Sequence, residues 1–390
     1  MALSAEAMAQ PPIFALVAGE TSGDQLGADL IGALKATYPN ARFVGIGGPL
    51  MMAQGLDSWY PMARLSVMGL FEVLRHLPGL LRLRHQLIQA LVQCKPTAFI
   101  GIDAPDFNLT VAQKLKAQGI PSFHYVGPSV WAWREKRLQT LRKQINGIFL
   151  LFPFEAPLYK RYHIPFEVVG HPLAHPVAKA PSLTSARHSL GLASTALITG
   201  LLPGSRRSEV TRMFPVYVQA ALLLQRQSPQ MQFVIAAATP ALFDWMQGHL
   251  ALLAPADRSC FHLVQGQADT VIAASDQLIV TSGTATLQTA LMQKPFVLSI
   301  RVHPVSYYLM KKMARTDWIG LPNVLAQATV VPELIQSQAT PQAIVNALKP
   351  LIDDPAARAQ QVRVFAQQKQ QLALPSAQLA VARLRQWLGY

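Results

Sequence analysis

The stretch that most constrains this chain is residues 278–288, Leu-Ile-Val-Thr-Ser-Gly-Thr-Ala-Thr-Leu-Gln. Leu278, Ile279 and Val280 read as a buried strand, and from Ala285 the apolar residues Leu287, Ala290 and Leu291 take up helical spacing. A strand that stops at Ser282-Gly283-Thr284 and opens a helix aims free N–H groups and a positive dipole end at one spot. The two hydroxyls and the bare backbone of Gly283 let a phosphate come close. The plainer alternative is an ordinary strand-to-helix turn in which Ser or Thr caps the helix.

The same pattern recurs along the chain. Apolar, β-rich runs at 13–18, 43–46, 98–102, 122–126, 148–152 and 166–169 each end at a glycine or polar turn. A second set follows at 196–202, 232–237, 261–264, 278–280 and 296–300. Strands alternating with helical stretches predict doubly wound parallel sheets. At 390 residues the chain is long for one core and suits two domains. Pro, Ala and His crowd residues 172–181, which marks the linker. The expected division is 1–175, then 182–360, then a C-terminal helical segment 361–390 that crosses back to the first domain or is exchanged in a dimer.

Composition narrows the partners. The chain is 51% apolar and only 14% charged, yet its net charge is +14. Such a surplus favours anionic partners: nucleic acid, anionic lipid or phosphorylated substrates. Cys94 and Cys260 stand far apart, and no two histidines stand as H-x-x-x-H on one helix, so neither a disulfide framework nor a metal site is expected. No basic run precedes Ile13 and no apolar run is long enough to span a bilayer, so neither a secretory signal nor a transmembrane helix is expected.

In the first half, Glu20, Ser22 and Asp24 lie in Gly19-Glu20-Thr21-Ser22-Gly23-Asp24, at the sheet edge where such folds bind ligands. Ser22 with Gln25 fits a capping box; that leaves Glu20 and the glycines unexplained. The turn matches neither the dinucleotide fingerprint nor a Walker loop. Asp103 is the first polar residue after the 98–102 strand. Asp106 stands closer to the helix expected from near Leu109 and suits its cap, which leaves Asp103 available for acid–base chemistry. Trp131, Trp133 and Arg134 form an aromatic, basic loop after residues 122–126. Over residues 65–81, Val67, Met68, Leu70, Phe71, Leu74, Leu77 and Leu81 make a wide apolar arc rimmed by Arg64, Arg75, Arg82 and Arg84. A core-facing helix is the usual meaning of such a stripe; an anionic bilayer surface is the alternative. Pro78 should break or bend it.

In the second half, Gly204-Ser205-Arg206 follows a strand and adds a guanidinium suited to phosphate oxygens, unless Glu209 pairs with it. With Ser282–Thr284 this turn suits a diphosphate. Leu321-Pro322-Asn323 is a turn with one buried-looking amide.

Taken in order, these loops resemble the lipid-A-disaccharide synthases. The matching stretches are Gly19-Glu20-Thr21-Ser22-Gly23-Asp24, Gly101-Ile102-Asp103-Ala104-Pro105-Asp106-Phe107-Asn108 and His124-Tyr125-Val126 with Pro128-Ser129-Val130-Trp131-Ala132-Trp133. Gly170-His171-Pro172, Leu202-Pro203-Gly204-Ser205-Arg206, Ser282-Gly283-Thr284-Ala285 and Leu321-Pro322-Asn323 complete the set. No single motif is specific; the ordered set is. The resemblance implies an α/β GT-B fold, two Rossmann-like doubly wound domains facing an interdomain cleft. It implies transfer from UDP-2,3-diacylglucosamine to 2,3-diacylglucosamine 1-phosphate with inversion, giving the β-1,6 lipid A disaccharide and UDP, without cofactor or metal. Carried over, Asp103 is the general base on the acceptor's 6-hydroxyl. Gly204, Ser205, Arg206, Ser282, Gly283 and Thr284 hold the UDP diphosphate, and Asn323 lies near the nucleotide. Gln288 stands where many enzymes of this fold place a ribose-binding Glu. Glu20, Ser22 and Asp24 line the acceptor side. Val67, Met68, Leu70, Phe71, Leu74, Arg75 and Leu77 become a membrane-docking patch for an anionic phospholipid surface, on the cytoplasmic face of the inner membrane. Members of the family form homodimers through their C-terminal parts; nucleic acid is not an expected partner. Two other readings compete: a UDP-N-acetylglucosamine 2-epimerase-like enzyme of the same fold, and a non-catalytic basic protein binding membranes or nucleic acid. The second would need clustered Lys/Arg stripes, whereas the basic residues here are scattered.

Overall fold

The computed structural model describes residues 11–65, 70–128, 137–174, 181–313 and 316–389. The chain forms two compact units, one made of residues up to Pro172 together with Leu372 onward, the other of Leu173–Gln371. The return to the first unit thus falls at Leu372 rather than at residue 361.

The first unit is built on a seven-stranded parallel sheet: β1 (Ile13–Ala18), β2 (Arg42–Ile46), β3 (Leu56–Ser58), β4 (Ala98–Ile102), β5 (Ser122–Tyr125), β6 (Gly147–Leu150) and β7 (Phe166–Val168), in the order β3-β2-β1-β4-β5-β6-β7. Strands β1, β4 and β6 are almost wholly apolar because both faces of the sheet are covered. Phe14 and Leu16 point to one face, with Leu30, Leu34 and the C-terminal Leu384 and Leu388. Ala15 and Val17 point to the other, with Leu87, Leu91, Val111 and Leu115. Gly45 pairs with Leu16 at φ +138°, and a Cβ there would lie 2.0 Å from the Leu16 carbonyl oxygen, so only glycine fits. Helix Ser376–Leu388 closes this unit: Trp387 stacks on Phe123 at 5.4 Å and 6°, in room left by Gly147.

The second unit holds β8 (Ile198–Leu202), β9 (Gln232–Ala237), β10 (Phe261–Gln265), β11 (Gln277–Thr281), β12 (Phe296–Ile300) and β13 (Glu333–Ile335), all parallel, in the order β10-β9-β8-β11-β12-β13. The buried guanidinium of Arg187 donates to both Asp276 oxygens at 2.9 Å and to the carbonyls of Ala274 and Ser194. Helix Pro355–Leu372 belongs mostly here: Gln361 takes the N–H of Phe296 at 3.0 Å, and Phe365 stacks on the Phe296 ring at 5.7 Å.

Three local expectations are corrected. Helix Leu70–Cys94 continues through Pro78, so the break does not occur; Pro78 itself is exposed. Helix Pro105–Lys116 begins at Pro105, not near Leu109, and its cap is Ala104. Ser22 does not cap: the first helix already starts at Thr21, and Gln25 instead donates to Asp29. Val67, Met68 and the tryptophan loop 129–136 lie outside the described residues, as do the side chains of Leu70, Phe71, Leu74 and Arg75. Among the described residues no helix is long and apolar enough to cross a membrane.

Candidate functional site

In a parallel sheet every strand delivers its next loop to the same edge. In the first unit β2, β1 and β4 are neighbours, so Gly47-Gly48, Glu20 and Asp103 leave adjacent strands side by side. A Cβ on Gly19 would come within 3.2 Å of the Ala104 Cβ, so these two loops touch.

Asp103 and Ala104 both take left-handed backbone, φ +50° and +41°. Two such non-glycine residues in succession need external support. It comes from Asn108, fully buried, whose amide donates to the carbonyls of Val17, Ile102 and Asp103 at 3.1, 3.3 and 2.9 Å. The Asp103 N–H is held by Tyr125 at 2.9 Å. Gly101 leaves the space that the Asn108 side chain fills. The Asp103 carboxyl is half-buried; burial pushes it above the usual carboxylate range, with the Ala104 N–H pulling the other way. Asp106 does not cap its helix; it is exposed and pairs with Arg137 at 2.5 Å.

The acceptor-side trio divides. Glu20 is the half-buried N-cap of the first helix and Ser22 is exposed in its first turn. Asp24 turns inward instead. It is 1% exposed, and its oxygens accept the N–H groups of Gly48, Leu50 and Met51 at 2.9 to 3.0 Å. It fastens the start of helix Pro49–Ala53 to helix Thr21–Thr37 and has no face left for a substrate.

In the second unit β8 and β11 are neighbours, so the turns Gly204–Arg206 and Ser282–Thr284 meet at one edge. Gly204 has φ +118°, with Glu209 where a side chain would go. Glu209 accepts the N–H groups of Ser205 and Arg206 at 3.3 Å each and the Arg206 guanidinium at 2.9 Å. Arg206 nonetheless keeps 63% of its side chain exposed. Gly283, φ +149°, is the N-cap of helix Thr284–Leu291. Neither Ser282 nor Thr284 caps that helix; the hydroxyl of Thr286 takes the Gly283 carbonyl at 2.8 Å. The Thr286 N–H donates to the Gly283 carbonyl at 3.1 Å, which leaves the Thr284 and Ala285 N–H groups without helical acceptors.

Gln288 donates to Asp269. Asn323 is fully buried, and its amide is saturated: it donates to the Val331 carbonyl and Glu333 and accepts from the Val330 and Val331 N–H groups, each at 2.8 Å. It shapes the loop before β13 and does not present its side chain to a nucleotide. Glu333, which also takes the Ile319 and Gly320 N–H groups, was missed in the sequence because a three-residue strand carries no readable period. Among the described residues no group of three or more His, Cys, Asp or Glu could hold a metal ion.

Solved structures share this architecture. The kitacinnamycin glycotransferase matches with TM-score 0.65 at 14% identity, covering 97% of this chain and all 100% of its own. The UDP-GlcNAc 2-epimerase of Neisseria meningitidis, solved with UDP-GlcNAc bound, matches with TM-score 0.61 at 13% identity, covering 96% and 99%. At such identities the likeness speaks for the fold alone. The molecule is thus of the GT-B class, with two Rossmann-like domains. A family model described as lipid-A-disaccharide synthetase matches residues 14–384. The lipid-A-disaccharide synthase of Hydrogenovibrio crunogenus is 54% identical over 372 residues, 95% of this chain and 98% of that protein. The chain belongs to the lipid-A-disaccharide synthase family and is a glycosyltransferase.

Proposed function

We propose that this enzyme transfers the sugar of UDP-2,3-diacylglucosamine to the 6-hydroxyl of 2,3-diacylglucosamine 1-phosphate in one inverting displacement. The acceptor oxygen bonds to the anomeric carbon as the bond to the UDP oxygen breaks. The hydroxyl proton passes to Asp103, and the electron pair leaves with UDP. A sugar hydroxyl is a weak nucleophile until a base takes its proton, and a carboxylate made more basic by burial does that better than a solvated one. The observation that carries this reading is the Asp103 turn, kept left-handed and half-buried by three Asn108 hydrogen bonds.

Charge developing on UDP is met by Arg206 and by the N-terminus of helix Thr284–Leu291, with Ser282, Gly283 and Thr284 around the diphosphate. The N–H groups of Ser205 and Arg206 reach it once Glu209 yields them. Gln288 serves the ribose and Glu20 with Ser22 the acceptor. The 67–77 patch rests on the cytoplasmic face of an anionic inner membrane; Leu77 and Leu81, 40% and 44% exposed, are the part of that stripe that supports it. A homodimer is part of this reading.

Incubating the enzyme with both acylated substrates should yield disaccharide and UDP. Asp103→Asn should lower kcat by about 10²- to 10⁴-fold, with UDP affinity by calorimetry unchanged. Loss of UDP binding in this variant would remove Asp103 from the role of base.

A further inference from the structure

Helix Pro304–Met313, Pro-Val-Ser-Tyr-Tyr-Leu-Met-Lys-Lys-Met, follows β12 directly and so stands at the same sheet edge as Arg206 and Ser282. Its polar face is unusual. Tyr308 is 66% exposed, far more than a ring that size needs to be on a folded surface. Lys311 and Lys312 are also exposed. Spacing of four places Tyr307 under Lys311 and Tyr308 under Lys312; the Lys311 ammonium lies 5.9 Å from the Tyr307 ring centre. From Arg301 to Thr316 the sequence has four basic residues and no acid. The next acid along the chain is the exposed Asp317, one residue beyond this run; Glu333 is committed to the Ile319 and Gly320 N–H groups.

We propose that this helix lays its Tyr308–Lys311–Lys312 face on an anionic lipid surface, giving the second unit a membrane contact of its own. Tyrosine and lysine together suit the headgroup layer: the ring enters the acyl boundary, the phenol stays wet, and the ammonium groups meet lipid phosphates. A nucleic acid would be met by a longer basic track than two lysines. The proposal rests on the peripheral-membrane part of the reading above, and adds a surface which that reading does not contain.

The test is flotation with vesicles of phosphatidylcholine alone or with phosphatidylglycerol. Wild type should float with the anionic vesicles only. Tyr308→Ser and the pair Lys311→Glu, Lys312→Glu should each reduce the bound fraction, the charge reversal by about tenfold or more, with melting point and UDP affinity unchanged. If both variants float like wild type while Leu77→Ser with Leu81→Ser does not, the helix makes no lipid contact and the first unit alone docks. If wild type floats with neither vesicle, the membrane reading falls and this proposal with it. A parallel loss of UDP affinity would assign the lysines to the nucleotide and overturn the lipid assignment.

Discussion

Asn108 has one amide and three carbonyls to serve, and those carbonyls end two strands and begin the Asp103 turn. Asn108→Ala should therefore act on Asp103 without touching substrate. Losing these bonds costs about 2–3 kcal/mol of stability. A relaxed turn moves the carboxyl away from its productive place, so kcat should fall while UDP affinity holds. A variant that melts early yet keeps its kcat would make Asn108 purely structural. Glu155 offers a second residue-level test. It is 2% exposed, and burial pushes its carboxyl up to about 8, the Phe152 N–H opposing. A carboxyl with a raised folded value binds its proton more readily folded than unfolded. Its contribution is thus present at acid pH and is lost as pH rises from the ordinary carboxyl range through about 8. Glu155→Gln should flatten that decline in a melting series; an unchanged slope would show the group is ionised and paired. Residue roles are where the sequence was least legible. Asp103 and Asp24 look alike in their motifs, as do Arg206 and Asn323. What separates them is where hydrogen bonds go. Asp24 spends its oxygens inward on backbone N–H groups 24 and 27 residues away, and Asn323 on the loop seven and eight residues on, pairings that no helix or strand period reports.

At the scale of elements the long strands were legible because burial on both faces makes each an uninterrupted apolar run. β3 and β13, three residues each and only partly buried, were not. The helix continues through Pro78 all the same, and Pro78 itself is exposed. The C-terminal segment is expected to cross back to the first domain or to be exchanged in a dimer, but its sequence does not name the residues it meets. Its partner is the first sheet, through Trp387 against Phe123 and Phe149 and an ion pair from Arg383 to Glu167. Trp387→Ala should cost about 2–4 kcal/mol, read as a lower melting point, because Gly147 leaves a space that only the indole fills. A loss within a few tenths of a kcal/mol would mean the helix is not docked in solution. A dimer that exchanges this helix would melt with a concentration-dependent midpoint, and the same scans would reveal it.

As a whole, the chain enters its second unit after Pro172 and leaves it before Leu372, so that unit is an insertion in the first. The two crossings are fastened together within the first unit: the His171 N–H donates to the Leu372 carbonyl at 2.9 Å. Gly170, φ +78°, leaves the space for Leu372 and Leu374 beside it. Such a layout lets ligand and fold be tested against each other. A ligand that binds only the folded state stabilises it, at a hundredfold excess over its dissociation constant, by about 2.7 kcal/mol. On the proposed placement at Arg206 and the helix at Thr284, UDP should stabilise the second unit. Calorimetry should therefore find the UDP-induced rise kept in Asp103→Asn and largely lost in Arg206→Ala. Arg206 is mostly exposed, so removing it leaves the fold intact and the comparison clean. An equal rise in both variants would move the diphosphate off the Gly204–Arg206 turn. A rise lost in Asp103→Asn alone would place the nucleotide on the first sheet and reverse the division of labour between the two units.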